Sequence, residues 1–133
     1  MAATLLQRCE HIKKTSDFVV DLIFFDGAHS TSTVTPWTTS EQEQWAWEWL
    51  PFELSHFSFR VFSANFRIST ESWTENFPFL ETSHMFLHKF KQYKIGASNH
   101  FTFLFGWGID TLLIKQLLYA AYIEQSSVCY RLN

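Results

Sequence analysis

Carboxylates and histidines recur in this sequence at one spacing, an acidic residue followed three positions later by a histidine. The pairs are Asp26 with His29, Glu53 with His56, and Glu81 with His84. On a helix this spacing places a carboxylate and an imidazole on one face, where both can bind a metal ion. The chemistry to examine first is therefore metal binding or acid–base catalysis.

The third pair lies in the segment with the clearest helical period, and His88 adds a second imidazole one turn after His84. Glu81, His84 and His88 are thus candidate zinc ligands, although a closed site needs a fourth ligand and a catalytic site needs a water. The simpler interpretation is the solvated face of an amphipathic helix, opposite its phenylalanines. We predict no metal and keep these three residues as candidates only.

Asp26 and His29 belong to the stretch DLIFFDGAHS, residues 21–30, in which an apolar run ends at Asp26 and turns at Gly27. Two interpretations are open. The stretch is either the lip of an active site, with Asp26 and His29 as candidate catalytic residues, or a buried strand that ends in an Asp-Gly turn.

The same stretch, DLIFFDGAH, resembles the end of a central strand in class I methyltransferases that use S-adenosylmethionine. The segment WLPF, residues 49–52, is similar to the end of the helix that follows in such families. The resemblance implies that Asp26 and His29 line a reaction site. The sequence departs from the family pattern, because no glycine-rich cofactor loop precedes the strand and only 25 residues stand before Asp26. We predict no cofactor.

Other catalytic patterns are missing or weak. The sequence contains no Gly-x-Ser-x-Gly motif. Gly106 and Gly108, just before a predicted helix, could present amide protons to an anion, but a tight strand-to-helix turn also explains them.

Cys9 and Cys129 do not make a disulfide framework, so we expect two reduced thiols and an intracellular, cytoplasmic location.

Aromatic residues are the unusual feature of the composition, since 15 Phe, 6 Trp and 4 Tyr make up 19% of the chain. So many rings predict either an exposed patch that binds a partner, or a bulky core with scattered surface rings. Tryptophan is frequent at the energetic centres of protein interfaces. The candidate binding residues are Trp37, Trp45, Trp47, Trp49 and Phe52.

The composition also excludes several classes of protein. An apolar fraction of 47% with only 17% charged residues argues against disorder. The net charge is −3, and the cations are dispersed except for Lys89, Lys91 and Lys94, so we predict no nucleic-acid binding. The longest apolar region, residues 101–123, is interrupted by glycines and polar residues, and we predict no transmembrane span.

Hydrophobic periodicity predicts the secondary structure. Residues 2–14 suit a helix, residues 18–25 a strand covered on both faces, and residues 77–94 and 111–124 two helices, the second capped by Asp110. A capping box at Ser40 and a stop at Pro51 favour a helix over WAWEW, although its strict alternation also suits a strand. Residues 101–105 suit a strand, and residues 128–132 could form a last one.

The segment from Phe57 to Ile68 is the clearest β segment, but its alternation changes phase at Phe62, which predicts a bulge or a tight turn near Asn65. Together these elements predict an α+β fold (mixed α/β). It would be a single layered domain over residues 1–133, with a sheet of three to five strands packed by about four helices.

We therefore expect an aromatic-rich binding module, or a small subunit of an assembly, that contacts a protein partner or a second copy and carries out no catalysis. The alternative is a small enzyme or metal-binding protein that uses Asp26 and His29, or Glu81, His84 and His88. A third possibility is a recently arisen reading frame without an evolved function, against which the consistent capping and periodicity argue.

Overall fold

The computed structural model describes residues 3–27, 49–50, 52–67 and 79–123. These residues form a four-stranded mixed sheet with two helices, which confirms the predicted α+β fold. The elements in chain order are β1 (Ala3–His11), β2 (Val19–Gly27), β3 (Phe59–Phe66), α1 (Leu80–Gln92), β4 (His100–Phe105) and α2 (Asp110–Ile123). Neither α1 nor α2 is long and apolar enough to cross a membrane.

The strands lie side by side in the order β1-β3-β2-β4, and only β1 is antiparallel to its neighbour. The chain thus moves from β2 to β3 on one side and then returns past β2 to β4 on the other. In parallel sheets, right-handed crossovers that run in opposite directions lie on opposite faces. Accordingly, α1 packs on one face, and Leu50 and Leu54 pack on the other.

The first face carries the larger core, because α1 and α2 cover it. Ile23 and Phe25 of β2 point to this side and are fully buried. The ring of Phe86 in α1 packs edge-on against Phe25, with centroids 5.4 Å apart, and also contacts Phe66. The phenylalanine stripe predicted for α1 is therefore its buried face.

Asp21 is a fully buried carboxylate in the otherwise apolar strand β2. Arg60 of β3 forms two hydrogen bonds to it, at 2.7 and 2.9 Å, and a third to the Tyr93 carbonyl. On the other side, Nδ1 of His100 lies 2.8 Å from Asp21 Oδ2. Nδ1 donates to Asp21 in the tautomer that carries the proton on Nδ1, because an ionised carboxylate only accepts, and Nη2 of Arg60 lies 3.2 Å from the same nitrogen. One buried charge thus joins three neighbouring strands.

Two predictions from the sequence were wrong. Residues 3–11 form strand β1 and not a helix, and its pairing with β3 shifts register between Gln7 and Cys9. Strand β3 pairs with β2 without interruption and has no turn near Asn65. The register shift of the β1–β3 pairing does lie opposite Val61 and Phe62, where the bulge was predicted, but the extra residue is in β1 and β3 itself carries none. Its alternation changes phase because both faces of β3 are buried.

The remaining helix and strand predictions divide between those that are confirmed and those that cannot be placed. Strands β2 and β4 and helices α1 and α2 lie where they were expected, within a few residues. Helix α2 begins at Asp110 itself, so this residue lies in the first turn and does not cap the helix from outside. Most of the predicted helix over Ser40–Leu50, and the possible strand over 128–132, lie outside the described residues. About four helices were predicted, and the described residues contain two.

We expect Asp21→Ala to lower the free energy of unfolding by about 3 kcal/mol or more, because it leaves the guanidinium of Arg60 largely buried without its carboxylate. Urea unfolding would measure the change. The matched control is Asp17→Ala, an exposed carboxylate just before β2, for which we expect a change within about 0.5 kcal/mol. Equal effects of the two substitutions would contradict a structural role for the buried charge.

Candidate functional site

The carboxyl ends of β2 and β4 meet at the point where the strand order reverses. In sheets of this kind, ligands bind in the crevice outside the strand ends at such a point. Asp26 and Gly27 end β2 here, and the turn Gly106–Ile109 follows β4. The sequence prediction that Asp26 stands at the end of a buried strand is confirmed, whereas His29 lies outside the described residues.

The turn between β4 and α2 brings strand and helix into close contact. A Cβ atom on Gly106 would lie 2.6 Å from Cδ1 of Ile114 and 3.2 Å from Cβ of Asp110, so only glycine fits without adjustment. Gly108 differs, because its φ of +60° lies in the left-handed region while a Cβ there would meet no atom within 4 Å. Glycine is therefore favoured at position 106 because strand and helix are packed closely there, and at position 108 because the backbone has a positive φ.

Asp110, the first residue of α2, connects the turn after β4 to the end of β2. Its carboxylate is fully buried, and Oδ1 accepts the backbone N–H of Gly27 at 3.2 Å. A carboxylate in the first turn already interacts favourably with the positive end of the helix dipole and repels a second anion. Of the two interpretations of Gly106 and Gly108, the structure therefore favours the tight turn over an anion site.

A second candidate site lies on the other face of the sheet, in a groove of about 420 Å³ lined by nine apolar side chains. Val20 and Leu22 of β2 and Phe59 of β3 supply sheet residues to its lining. The groove presents no polar surface. Its volume is within the range of small-ligand sites, which normally add a few polar groups that fix orientation.

The two sides of this groove come from different parts of the chain. Leu50, Leu54 and Phe57 line it from the segment before β3, and Phe103 and Phe105 line it from β4. Phe105 also stacks on Phe24, with ring centroids 4.7 Å apart. The groove thus lies across β2, next to the stacked rings of Phe24 and Phe105.

Exposed phenylalanines gather at this groove. Phe103 is 53% exposed, and Phe18 and Phe57 also line the groove and are exposed. The ring of Phe101, which is 54% exposed, packs edge-on against Phe18 at 5.4 Å. Several large apolar side chains therefore face solvent around one apolar depression, which is typical of a binding surface.

The predicted aromatic binding residues lie only partly within the described chain. Trp37, Trp45 and Trp47 are outside it. Trp49 is 55% exposed and Phe52 is 79% exposed, while their neighbours Leu50 and Leu54 pack toward the sheet. This short segment is therefore amphipathic, and its outward side carries two of the five predicted residues.

The candidate metal ligands Glu81, His84 and His88 are all on the exposed side of α1. In the part of the chain that the structure describes, no group of three or more His, Cys, Asp or Glu side chains could hold a metal ion. Nε2 of His88 lies 3.3 Å from Nε2 of Gln92, one turn later. The arrangement agrees with the solvated helix face that the sequence analysis favoured.

Cys9 is a free thiol on the same sheet face as the groove, where it packs against the cluster that includes Leu22 and Phe59. Partial burial raises the pKa of the Cys9 thiol above its ordinary value, because desolvation disfavours the thiolate. A less ionised thiol is a weaker nucleophile, so Cys9 is better suited to packing than to catalysis.

No protein-family model matches this chain, and neither a curated protein nor a solved structure matches it. The resemblance of DLIFFDGAH to a methyltransferase strand therefore has no support from a longer match.

Sequence reasoning missed the buried Asp21 cluster and the apolar groove. The sequence did contain a signal for the Asp21 cluster. Asp21 and Arg60 are opposite charges within two strongly apolar stretches, and buried charges need partners. The groove could not be derived from the sequence, because its lining comes from three stretches that are far apart in the chain.

We expect the two glycines of the β4–α2 turn to respond differently to substitution. Gly106→Ala should cost about 1–3 kcal/mol through overpacking against Ile114. Ile114→Val removes the clashing Cδ1, so the double variant should be more stable than the sum of the single changes predicts. Urea unfolding of the four-member cycle measures this coupling.

Gly108→Ala should cost about 1 kcal/mol through left-handed strain alone, and Gly108→Asn should cost less, because asparagine tolerates that region. Ile114→Val should leave the cost of Gly108→Ala unchanged. A coupling of equal size at both glycines would mean that the same steric contact limits the two positions.

Proposed function

We propose that this protein is a binding module whose groove takes the apolar face of an amphipathic helix from a protein partner. The observation that carries the proposal is the groove of about 420 Å³ with purely apolar lining and exposed phenylalanines at its edge. A surface of this kind gains free energy when its apolar area is removed from water, about 25 cal/mol per Å² buried.

The apolar lining restricts what can occupy the groove. An extended peptide has unpaired backbone N–H and C=O groups, and burying them against a surface without polar atoms costs several kcal/mol. A helix satisfies its backbone hydrogen bonds internally and presents only side chains. The chemistry of the lining therefore favours a helix with leucine-like residues on one face.

The topology of the sheet also favours a helix as the occupant of the groove. Strands β2, β3 and β4 are parallel, and parallel sheets are normally covered by helices on both faces. Helices α1 and α2 cover the first face, whereas Phe101 and Phe103 on the second face stay half exposed. A partner helix along β4 would complete this layer.

Trp49 and Phe52 extend the proposed contact, since they project from the segment whose Leu50 and Leu54 contact the second face of the sheet. Amphipathic aromatic side chains such as tryptophan are suited to the centre or rim of an interface. Protein binding through exposed aromatics, in an intracellular and cytoplasmic setting, is thus our proposal for the biological role.

The test uses N-phenyl-1-naphthylamine, an uncharged probe that fluoresces in apolar surroundings, with Phe103→Asp as the groove variant. We expect the wild type to bind the probe and Phe103→Asp to bind it about tenfold more weakly, since the variant loses apolar contact and places a carboxylate in the groove. The matched control is Tyr119→Asp, an exposed aromatic on α2, which should bind like the wild type.

A competition experiment then identifies the class of occupant. We expect a synthetic amphipathic helix of leucine and glutamine to displace the probe from the wild-type protein. If the probe binds and the peptide does not displace it, the groove is a small-molecule site and the partner-helix proposal is wrong. If the probe binds the wild type and Phe103→Asp equally, the groove is not the binding surface.

A further inference from the structure

We propose that two copies of this chain form a dimer through the outward face of α2, with the two α2 helices antiparallel about a two-fold axis. Helix α2 packs on the first face of the sheet, whereas the apolar groove lies on the second face. The dimer therefore leaves the groove free, and either proposal can fail alone.

The composition of α2 is the first argument. All but four of its 14 residues are aliphatic or aromatic, and the exceptions are Asp110, Thr111, Lys115 and Gln116. One side of the helix is used within the fold, where it packs against α1 and β2 through Leu113, Leu117, Ala120 and Ala121. A helix that is apolar nearly all round is normally buried on more than one side.

The outward face of α2 carries large apolar side chains that stay exposed in one copy. Leu112, Tyr119 and Ile123 lie on one line along the helix, because seven and eleven residues are close to two and three turns. Tyr119 is 63% exposed, Tyr122 beside it is 66% exposed, and Ile123 is 59% exposed. A continuous apolar patch of this kind marks an interaction surface.

The size of this face meets the requirement of a stable dimer. An aromatic side chain can bury about 150–250 Å², and the face has two tyrosines besides its aliphatic residues and the stems of Lys115 and Gln116. It offers about 600 Å² per copy and thus about 1,200 Å² across a two-fold axis, which is within the range of specific interfaces.

The order of residues along the face indicates that the partner is a second copy. Lys115 and Gln116 lie in the middle, with apolar residues on either side. In an antiparallel pair centred between them, each residue lies opposite the one equally far beyond the centre. Leu112 of one copy then contacts Tyr119 of the other, and the Lys115 ammonium donates to the Gln116 amide oxygen. Apolar groups meet apolar groups, and polar groups meet polar groups.

The ends of the face are complementary in the same pairing. It brings Ile123 of one copy level with Gly108 of the other. Gly108 belongs to the first turn of the helix, since its carbonyl accepts the Thr111 N–H at 3.2 Å. A Cβ atom at Gly108 would meet no atom within 4 Å, so there is open space for the isoleucine side chain. The antiparallel arrangement also places opposite ends of the two helix dipoles together.

A lipid surface is the other apolar environment that this face could enter, but the charges do not suit it. Helices that lie in a membrane interface carry many lysines and arginines on the polar side. The opposite side of α2 is packed in the core, and its one cation, Lys115, lies in the middle of the exposed face. The same lysine is matched by Gln116 in the dimer.

The test is sedimentation equilibrium of the full chain over a range of protein concentrations. We expect the wild type to reach the mass of two chains. Leu112→Glu should raise the dissociation constant at least about tenfold, because each dimer then places two carboxylates against tyrosine rings. The variant should fold, since Leu112 is half exposed and an acidic residue is favourable in the first turn of a helix.

A mixing experiment tests the antiparallel register. Tyr119→Lys should weaken the dimer as Leu112→Glu does. In an equimolar mixture, a heterodimer places the introduced glutamate beside the introduced lysine and keeps one native contact of Leu112 with Tyr119. We expect this heterodimer to have a dissociation constant at least about tenfold lower than that of either homodimer.

The matched control is Leu6→Glu, because Leu6 is 48% exposed, as is Leu112, but lies on β1. Neither this variant nor Phe103→Asp in the groove should change the dissociation constant. A monomeric wild type, an equal effect of Leu6→Glu, or a mixture that dissociates as readily as the two homodimers would overturn the proposal. Sedimentation of a monomeric wild type with vesicles of phosphatidylcholine and phosphatidylglycerol would show that the face binds lipid instead.

Discussion

The buried carboxylate of Asp21 can exist inside the sheet only because Arg60 and His100 reach it from the strands on either side. An uncompensated charge in this position would cost several kcal/mol, so a pairing that brings other side chains beside Asp21 is excluded. The interaction therefore selects β3 and β4 as the neighbours of β2 and fixes their registers. Both candidate sites depend on this arrangement, since both are built across β2.

Strand β2 lies between β3 and β4, and its two faces and its carboxyl end have different surroundings. Its first face is closed by α1 and α2, its second face forms part of the apolar groove, and its carboxyl end lies beside the β4–α2 turn. The apolar groove is lined by apolar side chains alone. At the strand ends, the close approach at Gly106 and the hydrogen bond from the Gly27 N–H to Asp110 hold the β4–α2 turn against β2.

Much of the fold could be predicted from local patterns. The continuous apolar run of β2 and the phenylalanine stripe of α1 each have one dominant period, and both predictions are confirmed. Strand β1 could not be predicted, because the extra residue at its register shift breaks the alternation and leaves Leu5 and Cys9 at a helical spacing. The groove and the φ of Gly108 depend on tertiary packing and backbone conformation, which residue types alone do not encode.

The register shift in β1 also bears on how copies of this protein behave in solution. Strand β1 is an outer strand of the described sheet, and the interruption falls at Arg8, whose Nε donates to Ser63 Oγ at 2.8 Å. A bulged outer strand that carries Arg8 and Glu10 is a poor template for another chain, because its hydrogen-bonding groups are out of phase and charged side chains stand beside them. On that side the sheet resists fibrillar growth, an advantage for a chain so rich in aromatic residues.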